Sequence, residues 1–324
     1  MKKVLSVFLA LITVLSLAAC SAVKQQEKID VNAYVLSGPT GVGAVQMMND
    51  AENGIGGESY NFTVAAAPDE VVSKIAKGEA DIAAVSTNLA VSLYNKTNGG
   101  IKIIAVNTKG VLFVLNNKGA EINSVADLKG RTIYTTGKGS NPEYIINYIL
   151  TENNINPDSD VKIEYKAEGS ELAGVWAQDP EAVIIAPQPV ASTITGKYEG
   201  SVQALDLTEE WEKTGTESEL MMGCVVARTE FIEQHPEAVK AFLKDYEKSI
   251  EAAEDDLDGT AQFCEKYAIV PSAAVAKAAI PHCNLCFVTG SEMKEKLSGY
   301  LNVLYTADPT SVGGALPDDN FWYE

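Results

Sequence analysis

The chain has 324 residues, 46% of them hydrophobic, with 44 acidic against 25 basic side chains and a formal charge of −19. Nucleic acid and anionic membrane surfaces are thereby excluded as partners, because both would repel it. The length allows a large core and favours two domains, while the lack of short repeats or low-complexity segments excludes a solenoid.

In chain order, Met1-Lys2-Lys3 is a basic start, and Val4 to Ala19 is apolar except for Ser6, Thr13 and Ser16. A membrane span needs ~20 apolar residues, so residues 1–19 read as an export signal. "LSLAAC" resembles a bacterial lipobox, which implies Cys20 as the lipidated first residue of the mature chain, with residues 20–29 as a tether. An ordinary signal with an incidental cysteine is the alternative.

From Asp30 onward short β-like runs alternate with helical ones. "VNAYVLS" leads to a Gly/Pro turn and a helix around Val42 to Asn49. "YNFTVAAA" leads to "PDEVVSKIAKG", with Pro68 first, Asp69 and Glu70 in the opening turn, Lys74 and Lys77 late and Gly78 as the stop. "DIAAVST" then precedes "NLAVSLYNKTN", and "IKIIAVNT" continues into "VLFVLNN". Strand, helix, strand at this rhythm predicts parallel pairing through crossover helices.

The pattern restarts after Asn117 with "RTIYTTG", the helix opening at Asn141-Pro142, "VKIEYKA", "SELAGVWAQ", "AVIIAPQ", a helix from Pro189 and "VQALDL". "LMMGCVVA" reads as a strand returning toward the first unit, and the remainder is largely helical. We therefore expect two α/β lobes.

In open α/β sheets ligands lie beyond the carboxyl ends of the strands, at the mouths of the following helices. These positions are Ser37 to Thr40, Ala67 to Asp69, Ser86 to Asn88 and Asn107 to Lys109 in the first lobe. The second lobe offers Thr135 to Asn141, including Thr136, then Glu168 to Ser170 and Ala186 to Gln188. Nearly all are small, polar or Pro, suited to exposing helix N-terminal N–H groups to a polar or negative ligand. For any single loop, helix capping explains the same residues. "GKGS" at Gly137 to Ser140 matches neither a phosphate loop nor a dinucleotide turn, since Pro142 stands where the third glycine of the latter is required.

The absences also matter. The only arginines are Arg131 and Arg228 and the only histidines His235 and His282, all outside these loops. A bidentate carboxylate clamp is therefore hard to build, which counts against an amino-acid ligand, and a histidine-dependent mechanism has no evident residue, so no enzyme activity is expected. A catalytic pairing of Asp69 with Glu168 is disfavoured, because Asp69 is explained as first-turn charge. Tyr34, Tyr94, Tyr144 and Trp176 could flank a ring, or belong to the core. "PHCNLC" places Cys283 and Cys286 at C-x-x-C spacing beside His282, yet no second ligand pair completes a zinc site. Buried thiols or one disulfide are expected, with no metal and no cofactor.

"PDEVVSKIAKGEADIA", "SVADLKGRTIYTTGKGSNPEY" and "FIEQHPEAVKAFLKDYEKSI" together resemble the solute-binding proteins of ABC importers, in the group that binds alkanesulfonates, taurine, nitrate and thiamine precursors. The resemblance implies an α/β, two-lobed periplasmic-binding-protein type II fold, with a cleft between the lobes and a helical C-terminal portion. Lobe 1 would comprise residues 30–115 and 222–324 and lobe 2 residues 116–221, with crossings near Leu112 to Asn117 and Met221 to Ala227. It places ligand contacts on Ser37, Gly38, Pro39, Thr40, Thr87, Asn88, Gly139, Ser140 and Asn141, beside the mouth positions Asn107, Thr136 and Gln188. It implies a monomer, lipid-anchored on the outer face of the cell membrane, that delivers a small polar or anionic solute to a permease and an ATPase. A thiamine-type pyrimidine is the alternative solute, and a cofactor-biosynthesis enzyme on the same fold the alternative class.

Overall fold

The computed structural model describes residues 28–65, 67–117 and 121–324. The expected export signal, Cys20 and most of the tether lie outside the described residues. No helix among the described residues is long and apolar enough to cross a membrane.

The first sheet grows from strands whose alternating residues are buried. In β1 (Asp30–Leu36), Val31, Ala33 and Val35 face inward, the period of two that a pleated strand imposes. Two short helices follow, α1 (Pro39–Val42) and α2 (Val45–Glu52), where one was expected. Then come β2 (Ser59–Ala65), α3 (Pro68–Ala76), β3 (Ile82–Ser86), α4 (Thr87–Lys96) and β4 (Ile101–Lys109). In α3 the predicted punctuation is used: Pro68 opens it, Asp69 and Glu70 sit in the first turn, Val71 and Ile75 are buried one turn apart, and Gly78 turns out at φ +72°.

The second sheet contains β5 (Leu112–Asn116), β6 (Thr132–Thr136), β7 (Lys162–Lys166), β8 (Val183–Pro187) and β9 (Val202–Asp206), connected through α5 (Asn141–Glu152), α6 (Gly169–Gln178) and α7 (Val190–Lys197). After α8 (Leu207–Glu212), β10 (Met221–Arg228) returns to the first sheet, as its apolar run predicted. Helices α9 (Thr229–Gln234), α10 (Pro236–Asp255), α11 (Leu257–Lys266) and α12 (Ala273–Ala279) follow, then β11 (Leu285–Val288) and α13 (Gly290–Ala307).

The sheet orders are β11-β4-β10-β3-β1-β2 and β7-β6-β8-β5-β9. β1 is parallel to β2 and β3, and β6 to β7 and β8, whereas β10 and β5 run antiparallel to their neighbours. The segment expected to cross between lobes, Leu112 to Asn116, is therefore a fully buried strand of the second sheet. The first crossing falls earlier, at Gly110–Val111, and the second ends just before Met221. A buried strand and a buried continuation of β4 look alike as sequence, so the pattern alone did not separate them. Gly110 marks the place: a Cβ there would stand 2.4 Å from Thr208 Oγ1 and 2.6 Å from Leu220 Cδ2.

The lobes share apolar packing on the crossing side. Trp211 of α8 is fully buried, its ring centroid 4.4 Å from Tyr148 on α5 and 5.7 Å from Tyr300 on α13. The C-terminal tail folds back on the first lobe, where Tyr323 N–H donates to Ile103 O (3.0 Å) and Asn95 Nδ2 to Val312 O (3.0 Å).

Candidate functional site

A cavity of about 730 Å³ lies between the lobes, and its walls come from the strand-end loops of both. Ser37, Gly38 and Pro39, between β1 and α1, form one wall. Glu168 to Ser170, entering α6, and Gln188 to Val190, entering α7, form the opposite one. Glu265, near the end of α11, and Ala268 to Pro271, from the turn between α11 and α12, close the third side. A second hollow of about 490 Å³, beside Lys109, Leu257 and Asn284, has no wall from the second lobe.

Local geometry shapes these walls. Gly38, at φ +91°, turns the chain out of β1 and donates its N–H to Ile269 O at 2.8 Å, tying the first wall to the third. Gly41 lets α1 sit close, since a Cβ would lie 2.9 Å from Ile269 Cδ1. Gly169 does the same on the far wall, where a Cβ would meet Val190 Cγ2 at 2.8 Å. Just ahead of α6, Glu171 Oε2 accepts from Ala167 N (2.8 Å) and Glu168 N (3.1 Å). Gln188 is 2% exposed and turns inward, its Nε2 donating to Gln203 Oε1 (3.1 Å) and its Oε1 accepting from Ser192 N (3.3 Å).

Of the positions singled out from sequence, Ser37, Gly38, Pro39, Gln188 and the Glu168 to Ser170 loop thus come together around one cavity. The others lie elsewhere. Asn107 is buried and ties the site from behind, donating to Thr40 O (3.0 Å) and Tyr246 OH (2.8 Å). Thr87 is fully buried and donates to Met221 O at 2.8 Å, anchoring α4 to the second crossing. Thr136 ends β6, and Gly139 is exposed with its N–H on Glu143 Oε2. Ser140 Oγ donates to Gly137 O (2.7 Å), the local turn that starts α5. Asn141 reaches across the cleft, its Nδ2 donating to Asn88 Oδ1 at 3.0 Å.

Further contacts join the lobes around the cavity. Tyr144 OH donates to Asp308 Oδ2 (2.9 Å), and Ser192 Oγ to Ala278 O (3.2 Å). Burial first, and the Asp308 carboxylate second, push the Tyr144 phenol up to about 12. At the crossings, Asn284 Nδ2 donates to Gly110 O (2.7 Å), and Glu219 pairs with Lys109 (2.6 Å) and Lys296 (2.7 Å). Burial by itself would raise the Glu219 pKa, but hydrogen bonds from the two ammonium groups outweigh it and hold the carboxyl below its usual range.

A family model described as NMT1/THI5 like matches residues 61–257. The chain belongs to this family. No curated protein matches it at the sequence level. Among solved structures it is similar to an ABC transporter protein from Parabacteroides distasonis, with 21% identity, 91% of this chain and 98% of that one covered, and a TM-score of 0.76. It is also similar to the periplasmic aliphatic sulphonate binding protein SsuA from Escherichia coli (13% identity, 91% and 92% covered, TM-score 0.71). A third is the periplasmic nitrate-binding protein NrtA from Synechocystis PCC 6803 (11%, 82% and 75%, TM-score 0.54). The fold of this NMT1/THI5-like chain is that of the type II periplasmic binding proteins.

Sequence reading missed the third wall. Glu265 and Ala268 to Pro271 lie far along the chain from either strand series, at the end of α11 and in the following turn, where Ala268 is left-handed (φ +56°). None of Tyr34, Tyr94, Tyr144 and Trp176 lines that cavity. Trp176 donates to Ala182 O (2.7 Å) and packs in the second lobe, and Tyr144 serves the interlobe contact. Arg228 is committed to Asp81 (2.8 Å) and Glu230 (3.0 Å), and His282 packs edge-on against Phe113. The cysteines Cys224, Cys264 and Cys283 are buried free thiols and Cys286 is half-buried. Among the described residues no group of His, Cys, Asp and Glu is placed to hold a metal ion.

Proposed function

We propose that the chain is the extracytoplasmic solute-binding component of an ABC importer, capturing a small polar solute between its two lobes and presenting it to a membrane permease and its ATPase. The observation that carries this reading is the cavity of about 730 Å³ walled by strand-end loops of both lobes. A solute held there touches both halves at once, so its binding free energy favours the closed arrangement over an open one. Away from the apolar packing at the crossings, the lobes meet through polar contacts such as Asn141 to Asn88 and Ser192 to Ala278, which water can replace when they part. Membership of the family and likeness to sulfonate- and nitrate-binding proteins support the same role. Cys20 would carry the lipid anchor on the outer face of the membrane, with the chain acting as a monomer. Sulfonate-, taurine- or nitrate-like anions and thiamine-type pyrimidines are the two solute classes under this reading.

A cofactor-biosynthesis enzyme on the same scaffold is the alternative. Its base would have to be Glu168 or Glu265, the titratable side chains of the lining, and turnover of a retained molecule is what separates it from a binding protein. Native mass spectrometry of gently purified protein, repeated on Ser170→Trp, tests the proposal. A small molecule retained by the parent and lost from the folded variant is the expected outcome. Turnover of a retained molecule, or retention undiminished in the variant, would refute it.

A further inference from the structure

We propose that the turn His282 to Asn284 is the bearing on which the two lobes pivot, with Asn284 as the residue that positions the axis. The proposal rests on the importer reading only in that the lobes move, and it gives a role to "PHCNLC", which that reading leaves unused.

The turn is built into the first lobe. Asn284 O accepts from Lys109 N (2.9 Å) and Leu285 pairs with Thr108, so the segment is fixed to the end of β4. Cys283 is buried and its thiol donates to Ala279 O (3.3 Å), which pins the turn to the end of α12. From that base two side chains reach out of the lobe. His282 lies edge-on against Phe113 of β5, ring centroids 5.6 Å apart. Asn284 shares its two amide N–H bonds among three acceptors: Gly110 O at the first crossing (2.7 Å), and Asp206 Oδ2 and Thr208 Oγ1 of the second lobe (3.2 Å each). The other oxygen of Asp206 is used separately, capping α8 by accepting from Thr208 N (2.7 Å).

Two chain crossings leave a pair of lobes free to twist across the line that joins them as well as to rotate about it. A third contact beside that line removes the twist and leaves one hinge motion. The close approach of Gly110 to Thr208 and Leu220 gathers Asn284, both crossings and the start of α8 at one place. Contacts at an axis persist while those far from it, such as Asn141 to Asn88, part. Asn284 is also left-handed (φ +46°), a conformation that asparagine tolerates better than most residues. Glycine at this position would keep the backbone and remove only the amide, whereas aspartate would keep the shape and turn acceptors toward Gly110 O and Asp206.

The test is single-molecule energy transfer between dyes at Glu199→Cys and Glu233→Cys, exposed positions on the second and first lobe, in protein lacking residues 1–20. We expect the parent to show two interlobe distances, open and closed. Asn284→Gly should raise the fraction of molecules outside those two about tenfold, the effect of losing the bonds made by one amide. Asn284→Asp should raise it further. Combining Asn284→Asp with Asp206→Asn returns a donor to the pair and keeps a capping residue at position 206, so it should recover toward Asn284→Gly. A merely structural residue would lower the melting temperature in these variants and leave the distances alone. Should Asn284→Asp fail to fold, Asn284→Gly decides the matter. Distances unchanged in folded Asn284→Gly, or no recovery in the folded double variant, overturn the bearing and leave the importer reading intact. A parent fixed at one distance would remove lobe closure, and the bearing with it.

Discussion

Replacing Asn107 by Ala probes how the cavity's first wall is held. The side chain is 1% exposed, donates to Thr40 O and Tyr246 OH, and accepts from Thr108 Oγ1 at 3.1 Å. Alanine removes these three bonds together and strands buried partners, a loss of about 2–4 kcal/mol when each costs roughly 1 kcal/mol. With an unfolding entropy of roughly 0.6 kcal/mol/K for a chain of this size, the melting temperature should drop by about 3–7 °C in differential scanning calorimetry. A double-mutant cycle with Tyr246→Phe isolates one of the bonds and should return a coupling of roughly 0.5–1.5 kcal/mol. Because Thr40 continues the Ser37–Pro39 wall, solute affinity should fall in the same variant, whereas Tyr246→Phe, which leaves the bond to Thr40 in place, should affect it less. A melting temperature within a degree of the parent, or strict additivity in the cycle, would refute the assignment of Asn107 as the tie behind the site.

The remaining predictions concern the crossings, the cleft and the thiols. Glu219 has a folded pKa below its unfolded value, so its contribution is present above the unfolded pKa and lost as pH falls through the folded one. Glu219→Gln should therefore flatten the decline of melting temperature on acidification below about pH 4.5, and an unchanged slope would discount the pairing with Lys109 and Lys296. Asn88→Ala leaves Asn141 Nδ2 without its partner only while the lobes touch, which should lower the closed population two- to about tenfold in small-angle scattering or interlobe energy transfer. An unaltered population would mean that this bond does not act in closure. Burial raises Cys264, Cys283 and Cys286 to about 12 and Cys224 further still. Protein lacking residues 1–20 should accordingly react with a thiol reagent at pH 8 only on unfolding, and a fast-reacting thiol in the native state would contradict that burial.

Much of the architecture was legible because local chemistry and tertiary role agree. Pro68, Asp69, Glu70 and Gly78 punctuate α3 wherever that helix packs, and the alternating Val31, Ala33 and Val35 suit one face of any sheet. Two series of strands and helices, and a returning apolar strand at Met221, follow from such periodicities alone. Period and capping are short-range properties, set by neighbours within a turn or a pleat.

Tertiary structure decided what lies far apart in sequence. Whether Leu112–Asn116 extends the first sheet or enters the second depends on which strand edge accepts its hydrogen bonds, and the antiparallel slot between β8 and β9 does so. The helix-mouth rule gathered Ser37, Gly38, Pro39, the Glu168 to Ser170 loop and Gln188, but it named Thr87 and Asn107 equally, and both turned inward as ties. A polar side chain reads the same in sequence whether it faces a cleft or a buried carbonyl. Glu265 had no local mark at all: it reaches the cavity because α11 and α12 pack against the first lobe, and packing is a property of the assembled surface rather than of any segment within it.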